Sequence, residues 1–205
     1  ATHHDVTYVR HPESYTRMFR LLYRTMTPIM LSRIKALLTV SNFSKGEISQ
    51  FYNYPEKKIF VVPNAVSGAF QPGPPLKDQP EYLLAVSSPS AHKNFSRMIQ
   101  AFLMLRDHDD LELHIVGGAS DVFADDNLQR LASRDRRIRF LGRLNDDELI
   151  AQYQGATAFV FPSLYEGFGI PPLEAQACGC PVLAANAASI PEVLQASALY
   201  FDPMD

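Results

Sequence analysis

Two glutamates flank a corner of glycine and proline in the segment EGFGIPPLE. Glu166 stands immediately before the corner, and Glu174 follows it after seven intervening residues. Gly167 and Gly169 permit positive φ and a close approach of the backbone to a ligand. These residue types and their spacing predict a loop that wraps a bound molecule and places two acidic groups beside it.

The double proline at 171 and 172 predicts which end of a helix faces the ligand. Proline suits the first helical turn, where a missing N–H group costs nothing, so we expect a helix to begin at Pro172. The N–H groups of Phe168, Gly169 and Ile170 would then be free in front of it. Together with the positive end of the helix dipole, they favour an anion, most simply a phosphate or diphosphate.

The two carboxylates suit hydroxyl groups better than they suit that anion. Because a carboxylate repels phosphate, we expect Glu166 and Glu174, the latter in the first helical turn, to line one pocket and bind hydroxyls of a ribose or hexose. A nucleotide sugar carries both a diphosphate and such hydroxyls. The ordinary structural role open to Glu174 is to complement the helix dipole.

An α/β fold must position these residues, since apolar runs alternate with helical spacing along the chain. Runs typical of strands cover 36–40, 59–63, 82–87, 111–116, 138–141, 158–161 and 182–184. Helical spacing covers 14–35, with an interruption at Pro28, and also 44–51, 94–107, 124–132, 146–154 and 172–178. This order predicts a parallel sheet with helices on both faces and a ligand at the carboxyl ends of its strands.

Composition excludes several classes of protein. The 205 residues are 46% hydrophobic and carry a net charge of −3, which favours a globular chain and argues against nucleic acid as the main partner. No apolar run is long enough to span a bilayer. Cys178 and Cys180 stand too close for a relaxed disulfide and lack further zinc ligands, so we expect small apolar residues in a reducing compartment.

Five motifs in order resemble the retaining glycosyltransferases of family 4, which have the GT-B fold of two facing Rossmann-like domains. The central motif is EGFGIPPLE followed by ACGCPVLAANAASIPEV. The others are HHDVTYVRHPESY, LLTVSNFSKGEI with VVPNAV, VSSPSAHKNFSRMIQAF and FLGRLNDDELIAQYQGATAFVFPS. The resemblance covers nearly the whole chain and is closest to bacterial polysaccharide and O-antigen mannosyltransferases.

The resemblance implies a division into domains. Residues 1–66 would be the later part of an N-terminal, acceptor-side Rossmann-like domain, and the segment 67–81, rich in proline and glycine, a linker. Residues 82–205 would be the Rossmann-like domain that binds the nucleotide-sugar donor, truncated at its C-terminus. Because the chain also lacks an initiating methionine, we expect it to be part of a longer enzyme.

The resemblance also implies a role for each site residue. The catalytic residues would be His4 at the domain cleft, Lys93 on the donor diphosphate and Glu166 on the sugar hydroxyls. The other donor contacts would come from Ser88 and His92 beside the diphosphate, Arg143 and Leu144 at the base, the main-chain N–H groups of Gly167, Phe168, Gly169 and Ile170, and Glu174 at the ribose.

By the same resemblance, the reaction needs no metal ion and no cofactor, and its substrate is a nucleotide-diphosphate sugar. GDP-mannose is favoured, with UDP- and dTDP-sugars open. The leaving phosphate would help to deprotonate the acceptor, and catalysis would stabilise the negative charge that grows on the diphosphate. The acceptor would be a glycan or a lipid-linked glycan in the biosynthesis of a polysaccharide such as lipopolysaccharide.

One departure from the family concerns a positive charge. The family usually has an arginine five or six residues before the lysine, where this chain has Ser88 and Ser87. His92 is the nearest substitute, and serine hydroxyls could donate hydrogen bonds instead. Because losing one such donor typically costs about 10²- to 10³-fold in rate, a non-catalytic nucleotide-sugar binding or interaction module of GT-B type stays open as the alternative.

Other polar residues have simpler interpretations. His3, His4 and Asp5 could suggest a metal site, but adjacent residues on a strand face opposite ways. Glu192 in SIPEV is expected to cap a short helix, with donor contact as the alternative. The surface or packing residues would be His11, His108 and His114.

The segment 17–38 is basic and rich in Leu, Met and Ile, with no acidic residue. It could lie on the anionic inner face of a membrane, or it could form ordinary helices packed on the sheet of the first domain. We therefore expect a cytoplasmic protein, with peripheral membrane contact left open.

Overall fold

The computed structural model describes residues 1–73, 80–87, 90–117, 132 and 135–205. Its strands are β1 (Leu37–Thr39), β2 (Ile59–Val61), β3 (Tyr82–Val86), β4 (Glu112–Val116), β5 (Ile138–Gly142), β6 (Ala158–Phe161), β7 (Val182–Ala185) and β8 (Leu199–Phe201). β1 and β2 form a parallel pair, and the other six strands form a parallel sheet in the order β5-β4-β3-β6-β7-β8. The order reverses between β3 and β6, which is where such sheets place ligands.

Helices connect the strands. They are α1 (Thr7–Arg10), α2 (Arg17–Arg33), α3 (Asn42–Tyr52), α4 (Phe95–Leu103), α5 (Asp146–Gly155), α6 (Ile170–Ala177) and α7 (Ile190–Leu194). Polar side chains cap the N-termini of two of these helices. Ser41 accepts the N–H of Ser44 at the start of α3, and Asn145 and Glu148 form a capping box at the start of α5. The helix predicted over 124–132 lies outside the described residues except at its last position.

Alternate side chains of the central strands enter two separate apolar cores. Phe159 and Phe161 of β6 belong to one core, which α5, α6 and α7 cover, whereas Val160 belongs to the other, which α4 covers. Both faces of the sheet are therefore buried against helices. The predicted α/β class with a doubly covered parallel sheet is confirmed.

The first part of the chain has its own small core. Leu37 of β1, Ile48 of α3 and Ile59 of β2 are buried together. The region predicted as a linker, 67–81, is described only outside 74–79, and within it Phe70 is buried against the core of the large sheet.

The predicted interruption at Pro28 is wrong, because α2 runs through it from Arg17 to Arg33. Proline removes one N–H donor and usually kinks a helix, yet here Thr27 and Leu31 pack inward on either side of it. The exposed apolar side chains of α2 are Met18, Leu21, Leu22, Tyr23, Met26 and Ile29, and three of them, Leu22, Tyr23 and Met26, line a cavity shared with His4. None of the described helices is long and apolar enough to cross a membrane.

Candidate functional site

An ion pair joins the loops that follow β3 and β6. Because these strands are parallel neighbours, their carboxyl ends meet at one edge of the sheet. The Nζ atom of Lys93 lies 2.6 Å from Oε1 of Glu166, and the two side chains are only 17% and 13% exposed. The N–H of Leu164 also donates to the carbonyl of His92 at 2.8 Å. The structure thus brings together two of the three residues predicted as catalytic.

The loop after Glu166 turns into α6 through a left-handed glycine. Gly169 has φ of 91° and is the N-cap of a helix that begins at Ile170. The predicted start at Pro172 is therefore two residues late, and the prolines at 171 and 172 follow the first helical residue. Within the described part of the chain, no acceptor pairs with the N–H groups of Phe168, Gly169 or Ile170. These groups remain available to an anion.

Gly167 is required by a close contact rather than by its φ angle. A Cβ atom at this position would lie 2.7 Å from Oδ2 of Asp5. The other carboxylate oxygen of Asp5 accepts bonds from the N–H and the hydroxyl of Thr7 at 2.8 and 2.6 Å. The first segment of the chain therefore reaches the loop through Asp5.

Glu174 lies two residues further into α6 than predicted. The helix begins at Ile170, so its first turn contains no acidic residue. Oε2 of Glu174 accepts the hydroxyl of Tyr153 at 3.1 Å, and burial raises the pKa of the carboxyl group above its usual range. No contact between Glu174 and the Lys93–Glu166 pair is found among the described residues. Their sharing of one ligand stays a prediction.

His4 lies beside a cavity of about 470 Å³ whose wall includes the rings of Tyr15, Phe19 and Tyr23. Its side chain is exposed, whereas that of His3 is buried, so the two imidazoles face different environments. Among the described residues, no group of three His, Cys, Asp or Glu side chains comes close enough to hold a metal ion.

His92 is uncharged in the structure, where no ligand is bound. Its ring is buried and bonds to the hydroxyl of Ser14 at 2.9 Å. Burial, aided by the charge of Lys93, lowers the pKa of His92 to about 4, so the imidazole is neutral at pH 7. In this state it is a neutral hydrogen-bonding group. Ser88, predicted beside it, lies outside the described residues.

The predicted base-binding residues follow β5 at the same edge of the sheet. Arg143 is exposed, and Leu144 is half-buried against the core that contains Phe159. Both are therefore near the carboxyl end of a strand, as the sequence predicted.

Glu192 caps a helix, but not its own. It belongs to α7, and its carboxylate accepts the N–H groups of Asn42 and Phe43, at the start of α3, at 2.7 and 2.8 Å. Sequence reasoning predicted a cap and did not identify its partner, which lies 150 residues away.

Three serines that contact the loop were missed. Ser41, Ser44 and Ser189 donate to its carbonyl oxygens. The pattern SNFS is a helix-start signal that explains Ser41. No sequence pattern indicates that the segment containing Ser41 and Ser44, or the one containing Ser189, contacts the loop.

The family described as "Glycosyl transferases group 1" matches residues 67–203. "O-antigen chain mannosyltransferase B" of Escherichia coli is 33% identical over 218 residues, and "O-antigen chain mannosyltransferase RfbU" of Salmonella typhimurium is 34% identical over 209 residues. Each alignment covers 100% of this chain, which spans 57% and 56% of those two relatives.

A solved structure is similar over almost the whole chain. Anabaena Alr3699/HepE in complex with UDP and glucose superposes with a TM-score of 0.79 at 19% identity, covering 98% of this chain and 57% of that one. At this level of identity the similarity concerns the fold.

Proposed function

This chain belongs to the group 1 glycosyl transferases, and we propose that it is the donor-binding part of an enzyme that moves a hexose from a nucleotide-diphosphate sugar to a glycan or lipid-linked acceptor. The family resemblance stated from the motifs is confirmed by the family match. The proposed role is in polysaccharide biosynthesis. Residues 1–66 would belong to the acceptor-side domain and residues 82–205 to the donor-side domain.

One observation carries the proposal. The loop Glu166–Ile170 presents N–H groups without acceptors among the described residues, and the ammonium of Lys93 lies within bonding distance of the first residue of that loop. Main-chain N–H groups at a helix start and a compact cation together form a site for a diphosphate. Glu166, held beside them, would bind hydroxyls of the transferred sugar.

The proposed donor is GDP-mannose. The two O-antigen relatives are named as mannosyltransferases, and the same residues would accept a UDP- or dTDP-sugar if the base pocket near Arg143 and Leu144 allowed it. Glu174 would bind the ribose. Tyr153 donates to one carboxylate oxygen of Glu174, and the other oxygen would accept the ribose hydroxyl.

We propose retention of configuration without a metal ion or cofactor. The bond between the anomeric carbon and the phosphate oxygen would break, and the acceptor oxygen would attack from the same face while its proton passes to the leaving diphosphate. Lys93 and the N–H groups of the loop would stabilise the negative charge that develops on the diphosphate. His4 would contact the sugar from the acceptor side of the cleft.

Contact with an anionic membrane is proposed for α2. The helix combines exposed Met18 and Leu21 with the charges of Arg17, Arg20 and Arg24, the composition of a helix that lies in a membrane surface. Sedimentation with vesicles of anionic or neutral lipid tests this. Equal binding to both at low salt would end the proposal of peripheral, inner-face localisation.

The transfer reaction itself is tested in the full-length protein with radiolabelled GDP-mannose. Transfer, or slow donor hydrolysis without acceptor, should be lost in Lys93→Ala and Glu166→Ala. The neutrality of His92 favours the second candidate, a module that binds nucleotide sugars without turnover, because His92 adds no positive charge to that of Lys93. Donor binding without either activity in the wild-type protein would decide for that module.

A further inference from the structure

Two serines at the start of α3, the N-cap residue Ser41 and the helical residue Ser44, bind one carbonyl group of the donor loop. The hydroxyls of Ser41 and Ser44 donate to the carbonyl oxygen of Gly167 at 2.7 and 3.1 Å. Ser41 also accepts the N–H of Ser44 as the helix cap, so its hydroxyl is used in both senses. Both side chains are at most 1% exposed, and bonds shielded in this way from water are geometrically well defined.

A third serine holds the carbonyl groups on either side. The hydroxyl oxygen of Ser189 lies 2.9 Å from the carbonyl oxygen of Glu166 and 3.3 Å from that of Phe168. Ser189 is fully buried and makes no side-chain cap for the helix that follows it. Ser41, Ser44 and Ser189 are called the serine clamp below.

The clamp determines where the N–H groups of the loop point. In a trans peptide the carbonyl of one residue and the N–H of the next point in opposite directions, and the peptide bonds described here are trans. Since the carbonyls of Glu166, Gly167 and Phe168 turn toward the serines, the N–H groups of Gly167, Phe168 and Gly169 turn away from them. We propose that the serine clamp positions this row of three N–H groups for the diphosphate of the donor.

The clamp joins the two parts of the chain. Ser41 and Ser44 come from the first part, and Ser189 stands three residues before Glu192, whose carboxylate binds the N–H groups of Asn42 and Phe43. The starts of α3 and α7 therefore meet over the loop. The row of N–H groups is fully oriented only when α3 is docked, which makes residues 41–44 part of donor binding although they belong to the acceptor side.

Two members of the clamp can be removed without disturbing other bonds. Among the described residues, the hydroxyl of Ser44 donates only to the carbonyl of Gly167, and that of Ser189 only to the loop carbonyls. One buried hydrogen bond of this kind corresponds to a change of about 2- to 10-fold in an equilibrium constant. We therefore expect Ser44→Ala and Ser189→Ala each to weaken binding of a nucleoside diphosphate about 3- to 10-fold, and the double variant about 10- to 100-fold.

The experiment compares GDP with guanosine in the full-length protein, by calorimetry and by NMR titration for weak binding. The clamp orients groups that meet phosphate, so affinity for GDP should fall while affinity for guanosine stays unchanged. The controls are Ser49→Ala in α3 and Ser197→Ala after α7, which lose hydroxyl–carbonyl bonds of the same type at sites away from the loop. Both should bind GDP like the wild type.

The inference rests on the proposed function, but different experimental results would overturn the function and the serine clamp. Wild-type protein that binds none of GDP, UDP and dTDP would overturn the function. Wild-type binding that is kept in the Ser44→Ala/Ser189→Ala variant, or that falls equally for nucleoside and diphosphate, would overturn the clamp. If UDP or dTDP is preferred to GDP, the same comparison is made with that diphosphate and its nucleoside.

Discussion

Replacing Glu166 by glutamine should separate donor binding from turnover. In the structure the ammonium of Lys93 already lies 2.6 Å from the Glu166 carboxylate, so an incoming diphosphate has to share or displace a negative partner. Glutamine keeps the shape of the side chain and removes its charge. Lys93 would then be free to bind phosphate, whereas the sugar would lose a charged acceptor for its hydroxyls.

The size of the effect follows from the geometry. A phosphate oxygen in contact with Lys93 would lie about 5 Å from the Glu166 carboxylate, since charge-assisted bonds are about 2.8 Å long. Two charges at that distance repel by about 3 kcal/mol at an effective dielectric constant of 20 and by about 1 kcal/mol in water. Because both side chains keep some exposure, 17% and 13%, we expect a gain of about 1–2 kcal/mol, or roughly 5- to 30-fold tighter binding of GDP.

Calorimetry with GDP and a transfer assay with GDP-mannose measure the two effects on the full-length protein. The Glu166→Gln variant should bind GDP more tightly and lose about 10- to 100-fold in kcat, the value of a hydrogen bond to a charged group. Glu112→Gln is the matched control, because Glu112 is equally exposed, pairs with Arg139 and begins β4 at the opposite edge of the sheet. Glu166→Gln binding GDP as weakly as Lys93→Met would refute the reasoning.

Three further predictions concern stability and titration. Burial lowers the pKa of His92 to about 4. Between pH 4 and 6.5 the unfolded chain therefore binds more protons than the folded chain, so the free energy of unfolding decreases as the pH is lowered. His92→Asn should remove about 2 kcal/mol of the loss in unfolding free energy between pH 7 and pH 5, measured with urea, and an unchanged slope contradicts this. Glu192→Gln should lower the free energy of unfolding by about 1 kcal/mol, because it weakens the cap of α3. The control variant, Glu56→Gln at an exposed position, should leave that free energy unchanged. Equal urea midpoints for the two variants would reject the cap. Tyr153→Phe removes a hydrogen bond to the Glu174 carboxylate and should raise the pKa of that group. As the pH is lowered, affinity for the nucleotide sugar should therefore begin to fall at a higher pH than in the wild type. Superimposable pH titrations of the two proteins would exclude that link.

The sheet was predictable because its strands are short, apolar and separated by helical spacing. The run from Ala158 to Phe161 was located to the residue, since it is buried on both faces and bounded by turn residues. Strand β8 was missed because Leu199–Phe201 is only three residues long and lies at the sheet edge, where the pattern is weakest. The helix through Pro28 shows tertiary packing overriding a local preference.

The site was predictable where neighbouring residues define it and not where distant segments meet. Gly169 and the prolines after it identified the loop, because few other arrangements need those residues in that order. Asp5 and Ser41 both contact Gly167 from more than 120 residues away in the sequence. Ser189 lies much nearer to the loop in sequence, but its distance from Glu166 matches no recognisable motif. The sequence could not reveal the lowered pKa of His92, because that shift depends on burial.

The cap that Glu192 places on α3 also bears on how the chain acquires its structure during synthesis. The first turn of α3 emerges from the ribosome with the N–H groups of Asn42 and Phe43 unsatisfied, and their acceptor is translated 150 residues later. The N-terminal end of α3 therefore lacks this cap, and is prone to fraying, until Glu192 has been synthesised. Premature termination before residue 192 would leave these N–H groups without their carboxylate acceptor, whereas the longer polypeptide supplies it.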